Sequence, residues 1–302
     1  RRVVVDLEKQ MGEEIFICVI DEQKGGWGHI NFDDFKLYAE RPKFADEIDL
    51  AKRKTVPEAD QVLHQGLSPE EAVEKMTLPP GFNATLFAGE PDVKQPIAFA
   101  IDDRGRLWVA EAYTYPKRAP EGEGKDRILV FEDTDGDGKF NKRTVFKEGL
   151  NLVSGIEVGF GGVFVGAAPY LMFIPVSDWN DPKPGKTEIL LDGWDFARDT
   201  HETLNSFKWG PDGWLYGCHG VFCPSNVGKP GAPESERQWM DAGIWRYHPT
   251  KKIFEVFAEG TSNPWGFDFD EHGQLFEESC VIPHLFHMIQ GGRFQRQGGE
   301  HF

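Results

Sequence analysis

Short apolar stretches, each closed by a turn carrying Gly or Asp, recur along most of this chain. Ala98-Phe99-Ala100-Ile101-Asp102-Asp103-Arg104-Gly105-Arg106-Leu107-Trp108 passes from an apolar run through a polar turn into a second apolar run. The same pattern returns as Ser206-Phe207-Lys208-Trp209-Gly210-Pro211-Asp212-Gly213-Trp214-Leu215-Tyr216 and as Gly266-Phe267-Asp268-Phe269-Asp270-Glu271-His272-Gly273-Gln274-Leu275-Phe276. Each copy predicts a strand, a tight turn with Gly where φ must be positive, and a second strand. A degenerate copy, Gly155-Ile156-Glu157-Val158-Gly159-Phe160-Gly161-Gly162-Val163-Phe164-Val165, lies between the first two.

A second hairpin is predicted after each of the first three copies. The pairs are 127–131 with 143–146, 171–175 with 187–190, and 243–247 with 253–257. Four strands per period of roughly 50 to 60 residues is the signature of propeller blades. The expected fold is therefore all-β: a partial propeller of three blades plus the start of a fourth over residues 78–302. A closed ring needs at least about four blades, so the propeller is expected to continue past Phe302.

The segments before it differ. Glu14-Ile15-Phe16-Ile17-Cys18-Val19-Ile20, the turn Gly25-Gly26-Trp27-Gly28-His29-Ile30-Asn31 and Phe32-Asp33-Asp34-Phe35-Lys36-Leu37-Tyr38 read as β structure over residues 1–40. This stretch resembles the closing strands of jelly-roll or β-sandwich modules attached to carbohydrate-active enzymes. Residues 41–77 mix charges of both signs and read as a linker. It ends in a short helix, where Ser68 and Glu71 make a capping box with Pro69 at the first helical position.

Charge and composition narrow the function. The 302 residues carry 50 Asp and Glu against 33 Lys and Arg, a formal net charge of −17. That balance opposes nucleic-acid binding, which needs a basic face. No apolar run reaches the length of a membrane span. Cys18, Cys218, Cys223 and Cys280 are too few for a disulfide scaffold, although Cys218 and Cys223 are close enough either to bridge or to remain as two thiols. The chain opens on Arg1-Arg2-Val3 and is expected to be part of a longer protein, so targeting is unreadable here.

Three stretches carry candidate chemistry. In Asp133-Thr134-Asp135-Gly136-Asp137-Gly138-Lys139-Phe140-Asn141, Asp133, Asp135 and Asp137 offer alternate carboxylates, Lys139 a carbonyl and Asn141 an amide, the pattern by which oxygens converge on Ca2+. Thr144 stands where the bidentate Glu would be, and a metal-free acidic turn is the alternative. In Asp199-Thr200-His201-Glu202-Thr203-Leu204-Asn205, a titratable base, an acid and an amide precede an inner strand. Loops there open on a propeller's axis, and a His can take a proton near neutral pH. Third come Asn263 in Thr261-Ser262-Asn263-Pro264-Trp265-Gly266, then His284 and His287, then Arg293 and Arg296. The guanidinium forks suit a carboxylate or quinone oxygen. His284 and His287 are three apart and could ligate a metal.

Residues 78–302 resemble the propeller of the membrane-bound dehydrogenase, or sorbosone-dehydrogenase-like, family of planctomycete-type bacteria. The resemblance rests on Leu78-Pro79-Pro80-Gly81-Phe82, Leu107-Trp108-Val109-Ala110-Glu111, Asp133 to Gly138, His201 to Tyr216, Ser225-Asn226-Val227-Gly228-Lys229-Pro230 and Val281 to His287. More distantly, the chain is similar to soluble quinoprotein sugar dehydrogenases, which hold pyrroloquinoline quinone (PQQ) and calcium on the axis. There a His shortly before a Gly-Pro-Asp turn is the general base, and His201 before Gly210-Pro211-Asp212 matches it with one residue more. An Arg-Asn-Pro segment contacts the cofactor in that group; here Ser262-Asn263-Pro264 keeps the Asn and lacks the Arg.

The resemblance implies a dehydrogenase acting on a sugar or related alcohol or aldehyde. His201 would be the catalytic residue, and Glu202, Asn205, Asn263, His284, Arg293 and Arg296 cofactor or substrate contacts. Electrons would pass to a haem c group or cytochrome c outside this stretch, in a bacterial periplasm or at the cell surface. A non-catalytic glycan- or protein-binding propeller is the rival expectation. A propeller lactonase is a third, and it would require a calcium on the axis.

Overall fold

The computed structural model describes residues 5–12, 38–39 and 66–296. The chain divides into two compact units, Arg1–Gln65 and Gly66–Phe302. In the first unit the described residues show a single 3-10 turn, Glu8–Gln10. The expected sandwich strands at 14–38 and the linker up to residue 65 lie outside the described residues, apart from Tyr38.

In the second unit helix α1 (Pro69–Glu74) forms where its capping residues predict. Ser68 Oγ accepts from the Glu71 N–H at 3.2 Å, and Glu71 Oε2 accepts from the Ser68 N–H at 2.9 Å. No helix among the described residues is long and apolar enough to cross a membrane.

Four antiparallel sheets follow in chain order. The first is β1 (Pro96–Ile101), β2 (Leu107–Glu111), β3 (Asp126–Glu132) and β4 (Lys142–Leu150), paired in that order. The second is β5 (Val153–Gly159), β6 (Gly162–Ala167) and β7 (Tyr170–Asp178), with β8 (Lys183–Pro184) and β9 (Glu188–Asp192) both on β7. The third begins with β10 (Asn205–Trp209) and β11 (Leu215–His219). A two-stranded ribbon, β12 (Ser225–Val227) with β13 (Gln238–Met240), interrupts it before β14 (Gly243–His248) and β15 (Ile253–Thr261) complete it. The fourth holds β16 (Asn263–Phe269), β17 (Leu275–Cys280) and β18 (Leu285–Met288). Strand β19 (Arg293–Arg296) then returns to pair in parallel with β15.

These are three propeller blades and most of a fourth, and the expected outer hairpins are β3–β4, β7–β9 and β14–β15. The repeat holds at the level of single hydrogen bonds. Gly105, Gly213 and Gly273 have φ of +75°, +78° and +76°. In each, the Gly N–H reaches the carbonyl three residues back, and that residue's own N–H reaches the carbonyl four residues on. The degenerate copy turns at Phe160-Gly161, both with positive φ, between the paired Gly159 and Gly162.

Apolar side chains seal each sheet to the next. Trp108, Val130, Phe146, Ile156 and Val165 fill one interface. Phe164, Trp194, Phe207 and Trp245 fill the second, and Tyr216, Ile244, Leu275 and Met288 the third. Close approach needs glycine on the facing strand: a Cβ on Gly155 would stand 2.7 Å from the Phe207 ring. First strands lie beside first strands, β1 by β5 by β10 by β16, as strands around a propeller axis do.

Candidate functional site

Antiparallel pairing puts the start of each sheet's first strand, the end of its second and the start of its third at one end. The loops at that end are 112–125 in the first sheet, 193–204 leading into the third, 220–224 and 241–242 within the third, and 262 and 281–284 in the fourth. His201 is among them, and the neighbouring loops fix it. Its N–H donates to Asp199 Oδ1 at 2.6 Å, and its carbonyl accepts from the Trp265 indole at 3.1 Å. Thr200 Oγ1 donates to the Pro116 carbonyl at 2.6 Å. The ring nitrogen Nδ1 is paired with the Tyr115 hydroxyl. The two rings meet edge to face at 5.4 Å and 76°. Burial, helped by the charge of Asp199, raises the pKa of Tyr115.

His201 lines an open, largely polar cleft of about 400 Å³ together with residues 116–118 and 196–200. Lys117, Arg118 and Arg198 put cationic groups around it, and Asp199 one anionic group. The Arg118 guanidinium lies over the Phe196 ring at 5.1 Å and donates to the Ala168 carbonyl at 3.2 Å.

Other expected residues distribute unevenly. Asn263 opens β16 two residues before Trp265, and its Oδ1 is buried without a hydrogen-bond partner among the described residues. Arg296 pairs with Asp241 at 2.6 Å, both side chains buried. Arg293 is exposed and held by Glu259 at 3.1 Å. His284 stands exposed at the His201 end, its carbonyl accepting the Ser279 N–H at 3.0 Å. His287 lies on β18 stacked over Phe276 at 4.9 Å. Residues three apart on extended backbone face opposite sides, so His284 and His287 do not form a ligand pair.

Beneath His201 the chain is buried. Glu202 and Asn205 are nine-tenths or more covered. Burial first, then the charges of Asp199 and Asp241, push Glu202 up to about 8. His219, fully buried, is pushed down to about 4 by burial. Its Nδ1 accepts from the Leu204 N–H at 3.3 Å and its Nε2 meets the Cys223 carbonyl at 2.8 Å, so it is a neutral strut between loops. Cys218 and Cys223 are buried free thiols, which decides between the two readings of that pair.

The Asp133 loop joins β3 to β4 and lies at the opposite end of its sheet from Tyr115 and His201. Oxygens of Asp133, Asp135 and Asp137 lie within 4.8 Å of one another, a spacing that suits a hard cation. Asp133 also accepts from the Gly136 and Gly138 N–H groups at 2.7 and 2.8 Å, and Asn141 Oδ1 accepts from the Thr134 N–H at 3.0 Å. Lys139 N–H is held by Asp137 Oδ1 at 2.8 Å. The turn is thus braced by its own acids, and the Thr144 position is taken up in β-pairing with Val130.

Reading the residues alone missed Tyr115, Trp265 and Asp241. Trp265 stood inside a singled-out motif without a role. Tyr115 carried a weak signal, an aromatic beside Pro116 in the loop after a blade's second strand. Nothing in the sequence links Asp241 to Arg296.

Several solved structures are similar to part of this chain. The PQQ-bound aldose sugar dehydrogenase of Streptomyces coelicolor is 16% identical with a TM-score of 0.49, over 70% of this chain and 64% of that one. A Thermus thermophilus protein described as an oxidoreductase (glucose dehydrogenase) is 18% identical with a TM-score of 0.44, over 67% and 64%. A Trichoderma reesei carbohydrate-active enzyme of family AA12 is 14% identical with a TM-score of 0.46, over 66% and 55%. The chain thus spans less than two thirds of the length of each. No curated protein matches the sequence. Residues 68–300, which hold all four sheets, match the family model described as a domain of unknown function (DUF7133), and the chain belongs to that family.

Proposed function

We propose that this chain serves a quinoprotein-type dehydrogenase that oxidises a sugar or related alcohol or aldehyde, with His201 as the general base. The observation that carries this reading is the way His201 is held. Asp199 and Trp265 fix its main chain, Tyr115 pairs with its ring, and the exposed residue lines an open cleft. A base needs a fixed orientation and access to its substrate. When Nδ1–H donates to the Tyr115 oxygen, Nε2 keeps its lone pair and can take a hydroxyl proton.

The residues present suit PQQ, a planar quinone bearing carboxylates. Lys117, Arg118 and Arg198 line the cleft, Arg118 bonded to Glu121 at 2.9 Å and Arg198 lying 3.8 Å from Asp195. When bound, the quinone supplies the two-electron acceptor for hydride. Arg296, tied to Asp241, supports the third sheet's edge rather than reaching out as a free fork. A calcium on the Asp133 loop would be structural, because that loop is at the far end of its sheet. By resemblance, electrons would leave to a haem c group or cytochrome c, in the periplasm or at the cell surface.

The test uses the full protein with PQQ and CaCl2, following dye reduction with a panel of aldoses and polyols. Activity on at least one substrate, falling about 10²- to 10⁴-fold in His201→Gln, is expected. No quinone uptake and no dye reduction with any substrate would sink the proposal.

A further inference from the structure

The three clear copies of the hairpin share a device beyond their turn. Counted from the leucine that opens each second strand (Leu107, Leu215 or Leu275), the fifth residue is Glu111, His219 or Ser279. All three are buried. Each accepts one main-chain N–H from the segment entering the first strand of its own sheet. Glu111 Oε1 takes that of Lys94 at 2.6 Å, His219 Nδ1 that of Leu204 at 3.3 Å and Ser279 Oγ that of Ser262 at 3.1 Å. A residue with positive φ stands at or beside each tie: Gln95 at +47°, Leu204 at +42° and Thr261 at +70°. None of these is glycine, so each entry carries strain that the surrounding bonds must hold. In the degenerate copy the matching residue is Ala167, which has no acceptor. There the Leu152 N–H goes to Thr114 Oγ1 at 2.7 Å instead.

The third sheet alone of the four places an imidazole at this position, and an imidazole has a second nitrogen. Because Nδ1 accepts, Nε2 carries the hydrogen. Nε2 lies 2.8 Å from the Cys223 carbonyl and 2.9 Å from Ser225 Oγ. Ser225 Oγ in turn accepts from the Asp195 N–H at 2.9 Å. One pair of side chains thus holds the 195–204 loop at both ends, Asp195 at its start and Leu204 at its close. Gly220, next to His219, adds a third tie, its N–H reaching the Glu202 carbonyl at 2.7 Å. Burial keeps His219 neutral, so both nitrogens keep their roles.

We infer that His219 is a positioning residue for His201: acting through Nδ1 and Nε2, it closes the His201 loop and sets where that imidazole stands. The kinetic consequence rests on the reading of His201 as a base. The placement of the ring does not.

The test compares two substitutions in the full protein. His219→Leu fills similar space without a hydrogen bond, and His219→Asn keeps an acceptor near the Nδ1 position. The first readout is the ¹⁵N-NMR spectrum of the His201 ring, taken without quinone or substrate. His219→Leu should shift the His201 ring signals, and His219→Asn should return them towards wild type. In dye reduction, kcat of His219→Leu should fall about 10²-fold with KM little changed, because a displaced base is felt in the transition state. His219→Asn should recover most of that loss. An unchanged His201 spectrum in His219→Leu overturns the inference, as does a His219→Asn spectrum no closer to wild type than that of His219→Leu. If His219→Leu does not fold, Ser225→Ala, which frees the Asp195 end of the loop, decides in its place by the same spectrum. A wild-type protein without dehydrogenase activity would sink the reading of His201 as a base and leave the spectral test standing.

Discussion

Tyr115, on the loop after β2 of the first sheet, pairs its hydroxyl with Nδ1 of His201, on the loop entering β10 of the third. Residues 86 positions apart thereby share one hydrogen bond. When the Tyr115 oxygen accepts from Nδ1–H, that bond holds the imidazole in the tautomer whose Nε2 is free for a substrate. Tyr115→Phe should release the choice. In ¹⁵N-NMR the His201 ring is expected to move from one tautomer to a mixture, and the pH profile of kcat/KM to shift while substrate KM changes little. An unchanged His201 ¹⁵N spectrum would show that Tyr115 does not set the tautomer, whatever the activity.

Asp126 anchors the loop that carries Tyr115. It is fully buried and accepts from the Thr114 N–H at 2.7 Å, Thr114 Oγ1 at 2.7 Å and the Val153 N–H at 2.8 Å. Thr114 Oγ1 in turn accepts from the Leu152 N–H at 2.7 Å. Asp126→Ala leaves several buried donors unpaired and should cost about 3 kcal/mol in chemical denaturation. A loss below about 0.5 kcal/mol would show that water or a neighbour takes over.

Gly217 lies under Trp245, and a Cβ there would stand 2.2 Å from its Cζ2. Gly217→Ala should destabilise by about 1–3 kcal/mol through overpacking. In a Trp245→Leu background the same change should cost much less, because the clash partner is gone. Additive losses in that double-mutant cycle would mean the ring and the Cβ do not meet.

Glu277 is fully buried between the third and fourth sheets, and burial pushes it up to about 8. Thr261 lowers it, and the charge of Glu278 raises it. Below the ordinary glutamate value both folded and unfolded chains carry the proton. As pH rises from about 4.5 towards 8 the unfolded chain loses it while the folded chain keeps it, so stability falls across that window. Glu277→Gln should flatten the decline and be more stable than wild type at pH 8. Glu202 and Glu157, raised to about 8 and about 7, act with the same sign, so part of the slope remains. Equal pH slopes in variant and wild type would place the Glu277 proton elsewhere.

The hairpin repeat was legible in the residues because its cause is local. A turn such as Asp270-Glu271-His272-Gly273 closes through its own N–H groups, its own carboxylate and one glycine with positive φ. The period-two apolar runs on either side then determine which face is buried. The capping box at Ser68 was legible for the same reason, its partners being three residues apart. His201 could be singled out as a base at the mouth of an inner strand. By contrast, the sequence could not say whether Cys218 and Cys223 join.

By itself, then, the order of residues determined the strands, their turns and the number of sheets, since these depend on interactions within a few positions. The tertiary structure alone decided what surrounds His201. Tyr115, Trp265, Asp241 and Arg296 come to that end of the sheets from four separate segments, which only the stacking of sheet on sheet brings together. Burial did the rest: Glu202, His219 and Glu277 owe their shifted proton affinities first to lost contact with water, which depends on how the sheets pack.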